Sequence, residues 1–327
     1  MRTLRFGPTV AVVARALLVP LALASTLAHA GAYPDGPISI VVSYAPGGVA
    51  DIAVRTVAAG MAERLGQPVI VQNRPGASGT IGADYVARAR PDGYTLGAVG
   101  TATGVIPHLI GPVPPYGPGD FAYVGQIAYT AFVLVARQGF PPDTIDQLRR
   151  YSGPGADGPS YGESGPATRL AAEWLWHTAG IRAMRVPYKG DAPALADLAG
   201  GHIDMAMVSL SSAMPHIEAG AVKALAVTSP GRSPALPAVP AVAEAIRGYE
   251  AGGPTMLAAP GGTPPGVIDR LNAALNDTLA DSTLAQRFAS LGLGIGRLAP
   301  VQAKQTMRDE YRKWQRVINE TGVSVDR

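Results

Sequence analysis

Three short loops early in the chain carry almost no side-chain bulk: Pro46-Gly47-Gly48, Gly76-Ala77-Ser78-Gly79 and Gly100-Thr101-Ala102-Thr103-Gly104. Each follows a β-rich run and precedes a helical period. Their main-chain N–H groups can therefore approach a ligand closely and, at a helix N-terminus, carry partial positive charge suited to a carboxylate or phosphate. Ser78, Thr80, Thr101, Thr103, Ser164 and Thr168 add neutral hydroxyls at the same kind of position. One Gly-rich loop usually does no more than turn the chain, and a Ser or Thr there usually caps a helix. Repetition at several strand ends is what favours binding for the set. Asp51, one turn past Gly48, reads as a stabiliser of the helix start rather than a base, because a helix N-terminus favours the ionised form.

Other chemistries find less support. His108, His177, His202 and His216 show neither HExxH nor i,i+4 spacing, and without cysteine there is no thiol nucleophile, disulfide or cysteine-ligated metal. No metal and no cofactor is expected. Gly162-Glu163-Ser164-Gly165 brings its second glycine one place too early for a GxSxG elbow. A secreted hydrolase using Ser164 or Ser78 remains the alternative to a binding protein. Walker A is absent, since no lysine follows a glycine, and Gly294-Ile295-Gly296-x-x-Ala299 follows a helical pattern where a dinucleotide fingerprint needs a strand.

The elements that must hold these loops alternate strand and helix, which predicts an α/β fold with largely parallel sheets. Ile38–Ser43, Pro68–Gln72 and Tyr94–Val99 are the strands behind the three loops. The pattern restarts after Phe132–Ala136, with Ser160–Glu163, Arg182–Pro187 and His202–Ser209 leading into helices, then Val222–Thr228 and a return strand Thr255–Ala259. Two extended crossings, near residues 128–136 and 250–259, would join two lobes, 31–130 with 251–327 and 131–250, around a cleft. Such clefts at the carboxyl ends of parallel strands bind ligands. The last helix, Pro300 to about Thr321, aligns Met307, Tyr311, Trp314 and Ile318 as a packing stripe, with Arg308, Glu310, Arg312 and Lys313 off it.

Composition sets the class. With 327 residues, 47% hydrophobic and 16% charged, the chain has a core for about two domains and is no disordered tail. Its 40 glycines and 30 prolines follow no three-residue period, which excludes collagen. Arg2 and Arg5, an apolar stretch from about Ala16 to Leu27, and Ala28-His29-Ala30 form a secretory signal pattern, so cleavage after Ala30 and a periplasmic location are expected. A membrane anchor is the alternative, but that stretch is too short to span a bilayer, and Arg15 interrupts any longer run. Removing Arg2, Arg5 and Arg15 leaves as many basic residues as the 24 acidic ones. The mature chain is formally neutral, which argues against nucleic acid as partner.

Taken together, several motifs resemble one family. Tyr33-Pro34, Pro46-Gly47-Gly48-x-x-Asp51, NRPGASGTIGAD (Asn73 to Asp84), PDGYTL (Pro91 to Leu96), VPYKG (Val186 to Gly190), APALADLAGG (Ala192 to Gly201), ALAVTS (Ala224 to Ser229), RSPALPAVPAVAEA (Arg232 to Ala245) and APGGTP (Ala259 to Pro264) are similar, in the same order, to the Bug family of tripartite tricarboxylate transporter substrate-binding proteins. The resemblance runs from about Tyr33 to Val323. It implies a two-lobed, type II-like periplasmic binding protein, monomeric and hinged at its two crossings. Such a receptor would capture a small organic acid for membrane permease subunits or a sensor protein. It further implies ligand contacts at Pro46, Gly47, Gly48, Ser78, Gly79, Thr80 and Thr101 in the first lobe. Ser164, Gly165, Thr168 and Tyr188 would face them across the cleft. Two departures stand out: Arg169 falls near a histidine common in the family, and Gly252, Gly253 and Pro254 lie where an aromatic pair is common. Arg169 is thus a candidate clamp for a distal carboxylate, against the plainer reading of a solvated helix arginine. A structural envelope protein without a ligand is the third reading.

Overall fold

The structure is a computed structural model, and it describes residues 33–151 and 158–323. The signal segment and its cleavage site after Ala30 lie outside the described residues. Tyr33–Asp35 belong to a separate N-terminal unit with a cis Tyr33–Pro34 peptide bond, and the second unit, which starts at Gly36, holds every described strand and helix.

The ten strands of this second unit, among the described residues, are β1 (Ile38–Val42), β2 (Val69–Asn73), β3 (Thr95–Gly100), β4 (Phe121–Arg137), β5 (Ser160–Glu163), β6 (Met184–Pro187), β7 (Met205–Ser209), β8 (Val222–Val227), β9 (Gly252–Pro260) and β10 (Leu293–Gly294). They form one sheet in the order β2-β1-β3-β9-β4-β7-β5-β6, with β8 and β10 also paired to β4. The sets β1–β2–β3 and β5–β6–β7 are parallel, as the alternating pattern predicts. The middle is antiparallel, which differs from the expectation of largely parallel sheets. Both crossings are strands of the sheet itself: β4 pairs with β9 from Phe121↔Pro260 to Ala131↔Gly252, then continues against β7 and β8 from Phe132 onward. One 17-residue strand therefore serves both halves.

Ile38, Ile40, Val41 and Val42 are all buried, as a strand covered on both faces requires. Helix Pro300–Thr321 buries Ala303, Met307, Glu310, Trp314 and Val317, a 4-3-4-3 spacing that keeps one face inward. Glu310 thus corrects the expected stripe, which left it outside, and Tyr311 and Ile318 are only half-buried. The helix reaches across the molecule's middle: Trp314 meets Trp174 of helix Pro166–Ala179 edge-on at 6.3 Å, and Trp174 stacks on Tyr249 at 4.5 Å. Among the described residues no helix is long and apolar enough to cross a membrane.

Candidate functional site

Five α-helices begin at one cavity of about 1110 Å³: Val49–Leu65, Thr80–Ala87, Pro166–Ala179, Asp191–Ala199 and Leu210–Glu218. The π-helical turn Thr101–Val105, entered directly from β3, opens on it too. Each start follows the carboxyl end of a parallel strand, so chain direction alone turns the helix N-termini inward. The first intrahelical bond of Val49–Leu65 runs from Ile52 N–H to Gly48 O, leaving the N–H groups of Val49, Ala50 and Asp51 ahead of it. In Pro166–Ala179 the first is Arg169 N–H to Gly165 O, and Pro166 has no N–H, which leaves those of Ala167 and Thr168.

In the first loop Asp51 does what its position suggests. Its Oδ2 accepts the Gly47 N–H at 3.0 Å and Arg55 Nε at 2.9 Å, and its Oδ1 accepts Asn73 Nδ2 at 2.8 Å. Burial pushes its carboxyl up, but the Arg55, Gly47 and Asn73 hydrogen bonds outweigh it and hold the pKa at about 2. Gly47 is thus spent on the loop itself, while Pro46 and Gly48 line the cavity. The second loop is strained: Ala77 and Ser78 have φ of 45° and 53°, in the left-handed region that costs a non-glycine residue about 1 kcal/mol or more. Ser78 and Thr80 line the cavity, and Thr80 Oγ1 donates to Ala77 O at 2.8 Å. Gly79 lies behind them, its φ of 93° leaving a position where a Cβ would meet Thr103 Cγ2 at 2.6 Å.

Thr101 lines the cavity floor, but its hydroxyl proton goes inward. Oγ1 donates to the buried Glu310 Oε2 at 2.8 Å, which also accepts Trp314 Nε1 at 3.1 Å, while Glu310 Oε1 accepts Lys313 Nζ at 2.5 Å. Thr101 Oγ1 is therefore left as an acceptor toward the cavity. Gly253 of β9 permits this packing, since a Cβ there would sit 2.2 Å from Thr101 Oγ1.

On the other side Ser164, Gly165 and Thr168 line the cavity, whereas Arg169 and Tyr188 are not among its lining residues. Thr168 Oγ1 accepts the Ser164 N–H at 3.0 Å and donates to Gly165 O at 2.9 Å, closing the loop on itself. Glu163 Oε2 accepts the Gly165 N–H at 2.7 Å. Burial raises the Glu163 pKa, opposed by that amide, Arg185 and Arg169, so the Arg169 charge acts on Glu163. Tyr188 donates from its hydroxyl to Asp197 Oδ2 at 2.7 Å.

The wall also holds residues that the sequence reading did not place among the ligand contacts: Ser211 and Asp191 at two helix starts, Phe132 of β4, and the run Ile110 to Pro115. Ser211-Ser212 behind a strand was the available signal for the first. The proline run carried none, because its neighbours in sequence show neither period.

This architecture, with paired α/β halves, two crossing strands and a cavity ringed by helix N-termini, defines a periplasmic-binding-protein-type solute receptor. The particular family follows from comparison. Residues 53–323 match the model described as the tripartite tricarboxylate transporter family receptor, TctC, and the chain belongs to that family. Protein BugT of Bordetella pertussis is 33% identical over 309 residues, spanning 90% of this chain and 92% of BugT. MatC from Rhodopseudomonas palustris with bound malate superposes with a TM-score of 0.75 at 32% identity, covering 88% of this chain and 100% of MatC. R. palustris Rpa4515 with adipate gives 0.80 at 31% identity, covering 89% and 99%. Family and structural neighbours are solute receptors and not enzymes, so the hydrolase alternative is set aside.

Proposed function

We propose that the chain is an exported receptor that captures a small organic acid and presents it to the membrane permease subunits of a tripartite tricarboxylate-type transporter, or to a sensor. The observation that carries this reading is the convergence of five helix N-termini on one cavity of about 1110 Å³. Main-chain amides and aligned peptide dipoles there favour an anion without any metal or cationic side chain. The carboxylate is assigned to the first-lobe loops, at Pro46, Gly48, Ser78, Thr80 and the amides beside them, with Gly47, Gly79 and Thr101 shaping those loops. Ser164, Gly165 and Thr168 close from the second lobe, and Arg169 and Tyr188 support that lobe's loops from outside the cavity. Lobe I is 31–130 with 251–327 and lobe II is 131–250, hinged where β4 and β9 cross. The signal segment 1–30 is removed on export to the periplasm. The malate and adipate of the two neighbours support carboxylic acids as the cargo class.

Thermal melting of the mature protein against a panel of organic acids tests this. A true cargo at a hundredfold excess over its Kd adds about 2.7 kcal/mol, a rise of roughly 4–5 °C for a chain this size. Ser78→Asp, which puts a fixed anion in the loop at a φ that aspartate tolerates, abolishes the rise. A panel without any shift, or a shift that survives Ser78→Asp, overturns the assignment.

A further inference from the structure

The second-lobe wall narrows the cargo further, a step that rests on the receptor reading. Among the described residues lining the cavity there is no lysine, arginine or histidine, and Asp191 is the one carboxylate. Other carboxylates around the site have cations: Asp51 has Arg55 at 2.9 Å, Glu310 has Lys313 at 2.5 Å and Glu163 has Arg185 at 3.8 Å. Asp191 forms no ion pair with a described residue. Half-buried at the first position of its helix, it accepts one long hydrogen bond, 3.3 Å from Ser209 N–H to Oδ2. In the same wall, Ser211 Oγ is buried and has no hydrogen-bond partner among the described residues. A third stretch of wall is apolar: Pro107, Ile110, Pro112, Val113 and Pro114, with Val113 81% exposed.

We infer that the cargo is a monocarboxylic acid with an apolar body and a hydrogen-bond donor, hydroxyl or amino, at its far end. Its carboxylate meets the first-lobe amides. Its body covers the proline-rich wall, and its donor reaches Asp191, with Ser211 Oγ as the second partner. A distal carboxylate in that place faces Asp191 with no cation to offset either charge, so a diacid of the same length binds more weakly.

Calorimetric titration of the mature protein with two matched series decides this: caproate, hydroxycaproate, aminocaproate and adipate, then benzoate, para-hydroxybenzoate, para-aminobenzoate and terephthalate. In the series that fits, the hydroxy or amino acid binds at least about tenfold tighter than the diacid, with the unsubstituted acid between them. The hydroxy and amino arms identify which donor Asp191 receives. Asp191→Asn removes the charge and keeps an acceptor, and it brings diacid and hydroxy acid to within about threefold of each other. Ser211→Ala weakens the hydroxy or amino acid severalfold and leaves the unsubstituted acid unchanged, a readout that does not depend on the Asp191 variant folding. A wild-type diacid that equals or beats its hydroxy counterpart overturns the inference and leaves the receptor reading standing. If no acid of either series binds while another acid of the thermal-melting panel does, this inference falls and the receptor reading stands; if no acid of the panel binds, both fall.

Discussion

Gly253→Ala is the sharpest test of how the cavity floor is built. The new Cβ would lie 2.2 Å from Thr101 Oγ1 and 2.5 Å from Thr101 Cβ, distances that real carbons do not adopt, so Thr101 must move. Overpacking of this kind costs about 1–3 kcal/mol. The displaced hydroxyl also leaves Glu310 Oε2, 2.8 Å away in a buried setting, and a hydrogen bond to a charged group is worth about 1.5–3 kcal/mol. The two together give about 2.5–6 kcal/mol, or a melting point lower by roughly 4–10 °C. Differential scanning calorimetry reads the loss. Tryptophan emission reads its route, because Trp314 Nε1 shares Glu310 Oε2 with Thr101. Adding Thr101→Gly removes every Thr101 atom that the new methyl meets, so the double variant melts above the sum expected from the two single changes. A single variant within 2 °C of wild type, or strictly additive losses, would falsify the contact argument.

Ala77→Gly releases a residue held at φ 45°, and an equilibrium urea titration returns a gain of about 0.5–1 kcal/mol; a loss means that the left-handed turn is not strained. Glu163→Gln keeps an oxygen for the Gly165 N–H and removes a buried charge, so at neutral pH it stays within about 1 kcal/mol of wild type, whereas Glu163→Ala orphans that amide and costs about 1–3 kcal/mol. Equal losses in the two variants, measured by chemical denaturation, contradict this. With a raised native pKa, Glu163 takes up its proton more readily folded than unfolded, so its charge destabilises at neutral pH and the cost is relieved as pH falls through that value. Asp51 has the opposite sign. Its native pKa of about 2 lies below the unfolded value, so its contribution is complete above about pH 4 and disappears as pH falls toward 2. Allowing for solvent around Arg55, that contribution is about 1–2 kcal/mol, and Asp51→Asn flattens this part of a melting-point-against-pH curve; an unchanged slope refutes it.

The parts of this fold that repeat were legible in sequence. Strand, small-residue loop and helix recur because each parallel strand end must turn tightly and start a helix, and those demands select glycine, serine and threonine at fixed places. That grammar located six of the loop segments around the cavity. It misjudged single side chains whose role depends on distant partners. Glu310 reads as a surface residue by charge, yet Thr101, Trp314 and Lys313 together supply enough hydrogen bonds to bury it. Arg169 reads either as a clamp or as a plain helix arginine from sequence; it is not among the residues lining the cavity, and its charge acts on Glu163. Residues Phe121–Ile127 of β4 went unread because their pairing partner, β9, lies more than a hundred residues away. No local period announces such a strand.

The division of amides between resident and incoming carboxylates explains how such a cavity can hold an anion and still release it. Asp51 and Glu163 each take the amide at the outer edge of a loop, Gly47 and Gly165, and each is balanced by an arginine, so the loops are shaped before any cargo arrives. What remains is a set of inner N–H groups with partial charge and no counter-ion to displace. A carboxylate gains hydrogen bonds there without breaking an ion pair, and it leaves without abandoning a buried cation. In the proposed two-lobed receptor, closure would depend on what the second lobe adds, because a ligand shifts an open-closed balance only by its difference in affinity for the two forms. Asp191 and the unpartnered Ser211 hydroxyl are the second-lobe groups with most to gain from a far-end donor. On that proposal, cargo that satisfies them would favour the closed form, and cargo that meets Asp191 with a second negative charge would bind the first lobe without closing the second.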